Sequence, residues 1–156
     1  MTDHIVIPGS RQDCALLIKG GLGGSARGYQ NKYLNLANEI HKPHPKILFM
    51  GMSKGASLGC IEGSKIPQIS RLLLINPPLM INLPRICHAV KNFSGEMMTF
   101  VFGSEDPSIR ESGLLKLHER DNMKVVTIPG QDHYFSKDGF NLRTLVEEYL
   151  IFDLKR

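Results

Sequence analysis

Lys46-Ile-Leu-Phe-Met50-Gly51-Met-Ser53-Lys-Gly55-Ala-Ser57-Leu-Gly59 is the stretch on which the fold turns. Ile47–Met50 is a continuous apolar run, the pattern of a strand covered on both faces. Gly51-Met-Ser53-Lys-Gly55 follows at once, and Lys54–Gly63 reads as a helix. A G-x-S-x-G segment between strand and helix makes a sharp turn. Larger side chains at the glycines would collide with neighbouring backbone, and the serine is raised at the head of the helix. Negative charge is favoured there by the helix N-terminus. Ser53 is therefore a candidate nucleophile, with a simple helix cap as the plainer alternative. The overlapping Gly55-Ala-Ser57-Leu-Gly59 repeats the pattern one turn later. No strand precedes it, and helix packing explains its small residues.

Outward from this turn, short β-like runs recur at His4–Ile7, Cys14–Lys19, Arg71–Ile75, Met97–Phe102 and Lys124–Ile128, most of them apolar. Between them lie helical patterns at Tyr29–His41, Leu83–Lys91, Ser108–Glu119 and Gly139–Phe152. In the last, Phe140, Leu142, Leu145, Val146, Tyr149 and Leu150 form one apolar face, opposite Glu147 and Glu148. Strand–helix alternation without repeats or linkers predicts one α/β domain over residues 1–156. Its three layers comprise a mostly parallel sheet of about six strands with helices on both faces. Ligands of such sheets bind beyond the carboxyl ends of the strands, so the chemistry belongs just after each strand.

Composition narrows the function classes. The 156 residues carry 19 basic and 15 acidic side chains for a net charge of +4, and 42% are hydrophobic. The positive charge is scattered rather than gathered on a face, so nucleic acid is not an expected partner. Cys14, Cys60 and Cys87 are an odd set with no zinc-ligand spacing, and Cys14 and Cys60 sit in apolar runs. No metal and no cofactor is expected. The first residues lack the basic-then-apolar pattern of a secretory signal. No apolar run approaches the ~20 residues of a membrane span. The expectation is a cytoplasmic protein without membrane contact.

Three segments that follow strands then stand together. Gly51-Met-Ser53-Lys-Gly55-Ala56 resembles the nucleophile elbow of the α/β-hydrolase family. Gly103-Ser-Glu-Asp106-Pro-Ser-Ile109, after Met97–Phe102, resembles that family's acid loop. Pro129-Gly-Gln-Asp-His133-Tyr-Phe135, after Lys124–Ile128, is similar to its histidine loop. The order Ser, Asp, His is the family's order. The resemblance spans roughly residues 14–152 and implies a Ser53–Asp106–His133 triad. Each residue type has a chemical reason. A serine hydroxyl attacks well only when a base takes its proton, and histidine titrates near neutrality. A carboxylate behind the ring fixes its tautomer. Glu105 and Asp132 stand as alternative acids, and Asp106 before Pro107 could simply open a turn.

The same resemblance places an oxyanion site on the backbone N–H groups of Leu22 and Lys54. Leu22 lies in Gly20-Gly-Leu-Gly-Gly-Ser-Ala-Arg-Gly28, which departs from the family by having Gly20 where a histidine often sits. This loop fits neither a P-loop, which needs a Gly-Lys-Ser/Thr ending, nor the dinucleotide fingerprint. A phosphate-binding module is thus the weakest of three readings.

Size is the larger departure. From Leu22 to Ser53 there is room for one helix and one strand, so one strand and one helix of the family plan are missing. No lid fits between Ser53 and Asp106. The expectation is a reduced α/β-hydrolase with an open site ringed by Leu22, Met52, Pro77, Leu79, Met80, Tyr134 and Phe135, about half of them core. Such a site suits a small acyl substrate, an ester or thioester. The alternative is a non-catalytic relative acting through partner binding. In either case an exposed sheet edge favours a homodimer.

Overall fold

Apolar runs long enough to lose both faces to solvent become neighbouring strands in a computed structural model, which describes residues 16–19 and 47–151. The strands are β1 (Leu16–Lys19), β2 (Ile47–Met52), β3 (Ile69–Ile75), β4 (Met97–Gly103) and β5 (Met123–Ile128). They form one sheet in the order β1-β2-β3-β4-β5, and every neighbouring pair is parallel. The expected His4–Ile7 strand and Tyr29–His41 helix, and Cys14, lie outside the described residues.

Among the described residues four helices flank the sheet: α1 (Lys54–Gly63), α2 (Leu79–Asn92), α3 (Ile109–Lys116) and α4 (Leu142–Tyr149). Strands added in one direction through right-handed crossovers put every connecting helix on the same face. Accordingly Ala56 and Cys60 of α1, Ile86 and Val90 of α2 and Leu115 of α3 share one core with Leu72, Leu74, Phe100 and Phe102. Helix α4, which follows β5, covers the opposite face. Leu142, Leu145 and Val146 pack there with Leu48, Met50, Leu73, Ile75 and Val101. The alternation of Leu72 and Leu74 with Leu73 and Ile75 divides β3 between the two cores. Each fully buried Leu or Phe contributes roughly 1.5–3 kcal/mol. Cys60 is buried in the first core, and burial, with Cys87 nearby, pushes its thiol up to about 12, which leaves it inert at neutral pH.

Several boundaries differ by one to four residues from the sequence expectation, and two of the differences have identifiable reasons. β3 begins at Ile69 rather than Arg71 and is buried along its whole length, including Ser70 and Arg71. The Arg71 guanidinium is satisfied in the interior. Nε donates to Glu96 Oε2 at 3.0 Å, and Nη1 donates to the Leu150 carbonyl at 3.0 Å. Helix α2 starts at Leu79 rather than Leu83, because two helical segments join across a kink at Asn82. Pro84 causes it: a proline lacks the N–H for the preceding turn and clashes with the carbonyl four residues back.

Candidate functional site

The carboxyl ends of β2, β3, β4 and β5 all lie on one side of a parallel sheet, so the loops that follow them converge. The loop after β2 is the tightest. Ser53 has φ 54° and ψ −128°, a backbone conformation that L-residues rarely adopt. Such strain persists only where the surroundings fix it. Here the Ser53 N–H donates to the Ile75 carbonyl at 2.8 Å, and the Ser53 carbonyl accepts from the N–H groups of Ala56 (2.9 Å) and Ser57 (3.2 Å). The Ser53 hydroxyl does not cap α1, which removes the plainer role for it. Gly51 is required by close approach. A Cβ there would lie 2.7 Å from the Gly55 carbonyl oxygen and 2.9 Å from Ala56 Cα. Since backbone cannot give way, Gly51→Ala is expected to cost roughly 1–3 kcal/mol. A lowered urea midpoint at unchanged slope would register it.

Ser57, the serine of the overlapping match, is buried one turn into α1, and its hydroxyl has no hydrogen-bond partner among the described residues. It offers nothing to a ligand from solvent.

After β4, Gly103 lets two loops touch: a Cβ there would lie 2.3 Å from the Gln131 carbonyl oxygen. Asp106, three residues on, is only 1% exposed. Its Oδ2 meets His133 Nδ1. Its Oδ1 accepts the Ser108 N–H at 2.7 Å and the Ser108 hydroxyl. The other two carboxylates are engaged elsewhere. Glu105 pairs with Lys137. Asp132 accepts the N–H groups of Tyr134 (3.0 Å) and Ser136 (3.2 Å) and the Ser136 hydroxyl (2.9 Å). Partial desolvation raises its pKa, but the hydrogen bonds from Ser136 and Tyr134, with the Lys137 charge, outweigh that and hold it below the usual carboxylate range.

The His133 side chain is one-third exposed, and its Nδ1 edge faces Asp106. Tyr134 packs edge-on against it, with ring centroids 5.2 Å apart. Phe135, held at φ 51°, turns inward and anchors the loop against Phe140. The apolar ring expected around the site divides. Met52, Pro77, Leu79 and Phe135 are buried. Met52 and Phe135 belong to the core under α4, and Leu79 to the core under α1–α3. Met52 ends β2 and Leu79 opens α2, so these two seal the sheet's end and are not open wall. Met80 and Tyr134 remain exposed, at 70% and 61%. Leu22, with the whole Gly20–Gly28 loop, lies outside the described residues. Lys54 opens α1, where helix geometry offers its N–H no intrahelical acceptor.

One residue stands out that the sequence reading passed over. Asn76, directly after β3, is fully buried with φ 45°. Its side-chain amide touches both Gly103 and the His133 loop. A polar residue closing an apolar strand before Pro77-Pro78 was the available signal.

Among the described residues no group of three or more His, Cys, Asp and Glu could hold a metal ion, and no helix is long and apolar enough to cross a membrane. No family model matches the sequence, and no curated protein does. Solved structures do. Est1E from Butyrivibrio proteoclasticus superposes with a TM-score of 0.68 at 16% identity, over 89% of this chain and 86% of that one. A dienelactone hydrolase from Anabaena variabilis gives 0.74 at 14% identity, over 94% and 88%. The thioesterase domain of the curacin biosynthetic pathway gives 0.61 at 13% identity, over 88% and 92%. At these identities the likeness is one of fold.

Proposed function

We propose that this chain, whose fold is that of the α/β-hydrolases, is a serine hydrolase acting on a small carboxylic ester or thioester through an acyl-enzyme on Ser53. The observation that carries the reading is the contact of His133 Nδ1 with the buried Asp106 carboxylate, on a loop tied to the same strand end as Ser53. Asp106 keeps the proton on Nδ1, which leaves Nε2 with its lone pair to act as base.

In the first half-reaction Ser53 Oγ bonds to the acyl carbon while His133 takes the hydroxyl proton. The carbonyl oxygen becomes an oxyanion facing the Lys54 N–H at the head of α1. As the bond to the leaving oxygen or sulfur breaks, His133 delivers the proton to it, releasing an alcohol or thiol. Water then attacks the acyl-serine by the same proton route and frees the carboxylic acid. The exposed Met80 and Tyr134 give a short acyl group an apolar surface rather than a tunnel.

The test is direct. The purified protein should be labelled by a fluorophosphonate probe and should hydrolyse p-nitrophenyl acetate. Failure of both across pH 6 to 9 would refute the reading in favour of a non-catalytic relative that works by binding a partner.

A further inference from the structure

We infer that Asn76 is a positioning residue that sets the ring of His133 through the backbone beneath it, an inference that rests on the serine hydrolase reading for its link to catalysis. Both amide hydrogens are engaged: Nδ2 donates to the carbonyls of Asp132 (3.2 Å) and His133 (3.0 Å). Oδ1 accepts the Gly103 N–H at 2.9 Å. This pattern fixes the amide's orientation, since the reversed one would set an oxygen against two carbonyls and an NH2 against an N–H. The backbone of the same residue donates to the Val101 carbonyl at 2.8 Å, and the preceding Ile75 carbonyl holds the Ser53 N–H. One buried residue thus joins the end of β3 to the loop bearing Asp106 and the loop bearing His133, and its neighbour holds Ser53.

Three loops on separate strands need a common reference if their side chains are to keep a fixed spacing. Neither core supplies it, because Ser53 and His133 are both part-exposed at the sheet's end. Asn suits the position because it tolerates φ 45° and offers two donors and an acceptor in a plane. A glycine would keep the turn and lose all three side-chain bonds. An aspartate would keep the size and the Gly103 acceptor, but would aim an oxygen at the His133 and Asp132 carbonyls.

The experiment reads Asn76→Gly in two ways. Nitrogen NMR of the imidazoles, with His133 assigned by comparison with His133→Ala, reports the tautomer directly. The Asn76→Gly spectrum should show the His133 Nδ1 and Nε2 shifts moved toward tautomer averaging. On p-nitrophenyl acetate, kcat should fall by about 10²-fold, as for a displacement of reacting groups by ~1 Å, with KM within about twofold. A purely structural role would lower the melting temperature and leave both readouts of the folded protein unchanged. Unmoved His133 shifts would overturn the inference whatever the rate. If Asn76→Gly does not fold, Asn76→Asp is read the same way. A wild-type protein inert to ester and probe would defeat the hydrolase reading, and the ring spectrum alone would then decide the role of Asn76.

Discussion

Ser53→Ala is expected to abolish fluorophosphonate labelling and to lower kcat for ester hydrolysis by about three orders of magnitude or more, with almost no change in stability. The two halves of this expectation rest on separate observations. The stability half follows from what the Ser53 side chain does not do: it makes no cap hydrogen bond to α1. The turn is held by the Ser53 backbone, through Ile75, Ala56 and Ser57, and alanine keeps that backbone and the same Cβ. A change within about 0.5 kcal/mol is the ordinary result for such a site. The chemical half follows because alanine removes the hydroxyl that would form the acyl bond. Ser57→Ala is the control. Its hydroxyl is buried without a partner among the described residues, so its removal relieves an unsatisfied group and should be neutral or stabilising. Labelling should persist in Ser57→Ala. Labelling that survives Ser53→Ala and vanishes in Ser57→Ala would reverse the assignment.

Much of the fold was legible because the strands are buried on both faces, which turns them into unbroken apolar runs. Helix α1 matched its sequence boundaries, since the glycine-bounded turn before it marks its start without ambiguity. β3 was read two residues short because polar Ser70, next to Arg71, breaks the apolar run that begins at Ile69. A single sequence does not reveal that Glu96 and the Leu150 carbonyl are waiting for that guanidinium from distant parts of the chain. The pairing of His133 with Asp106 was anticipated only through resemblance. Residue type and spacing alone left Glu105 and Asp132 open, and what separates them is a long-range fact: which carboxylate lies buried against the ring. Asn76 was missed for the same reason. Its significance is a set of contacts with Gly103, Asp132 and His133, each more than 25 positions along the chain. Which members of the apolar ring would be core was not legible, because hydrophobicity does not distinguish a residue that seals the sheet from one that faces a ligand.

Asp106→Asn should lower kcat by about 10⁴-fold while leaving the protein folded, the loss expected when the histidine of such a triad is held in the wrong tautomer. The local geometry makes the direction specific. Asp106 Oδ1 accepts two donors from Ser108, its N–H and its hydroxyl. An asparagine would therefore turn its carbonyl oxygen toward Ser108 and its NH2 toward His133 Nδ1. A donor facing Nδ1 draws the ring proton to Nε2, and a protonated Nε2 cannot accept the proton of Ser53. The isosteric change keeps the Ser108 bonds, so little stability is lost. Asp132→Asn supplies the contrast. That carboxylate serves its own loop through Tyr134 and Ser136, and its replacement should cost less than about tenfold in kcat, as a loosening of the loop rather than a loss of the base. Steady-state kinetics on the two variants and the wild type, with His133 tautomers read by nitrogen NMR, distinguish the cases. A large loss in Asp132→Asn beside a near-normal Asp106→Asn would show that the carboxylate behind His133 during turnover is not the one that touches it at rest.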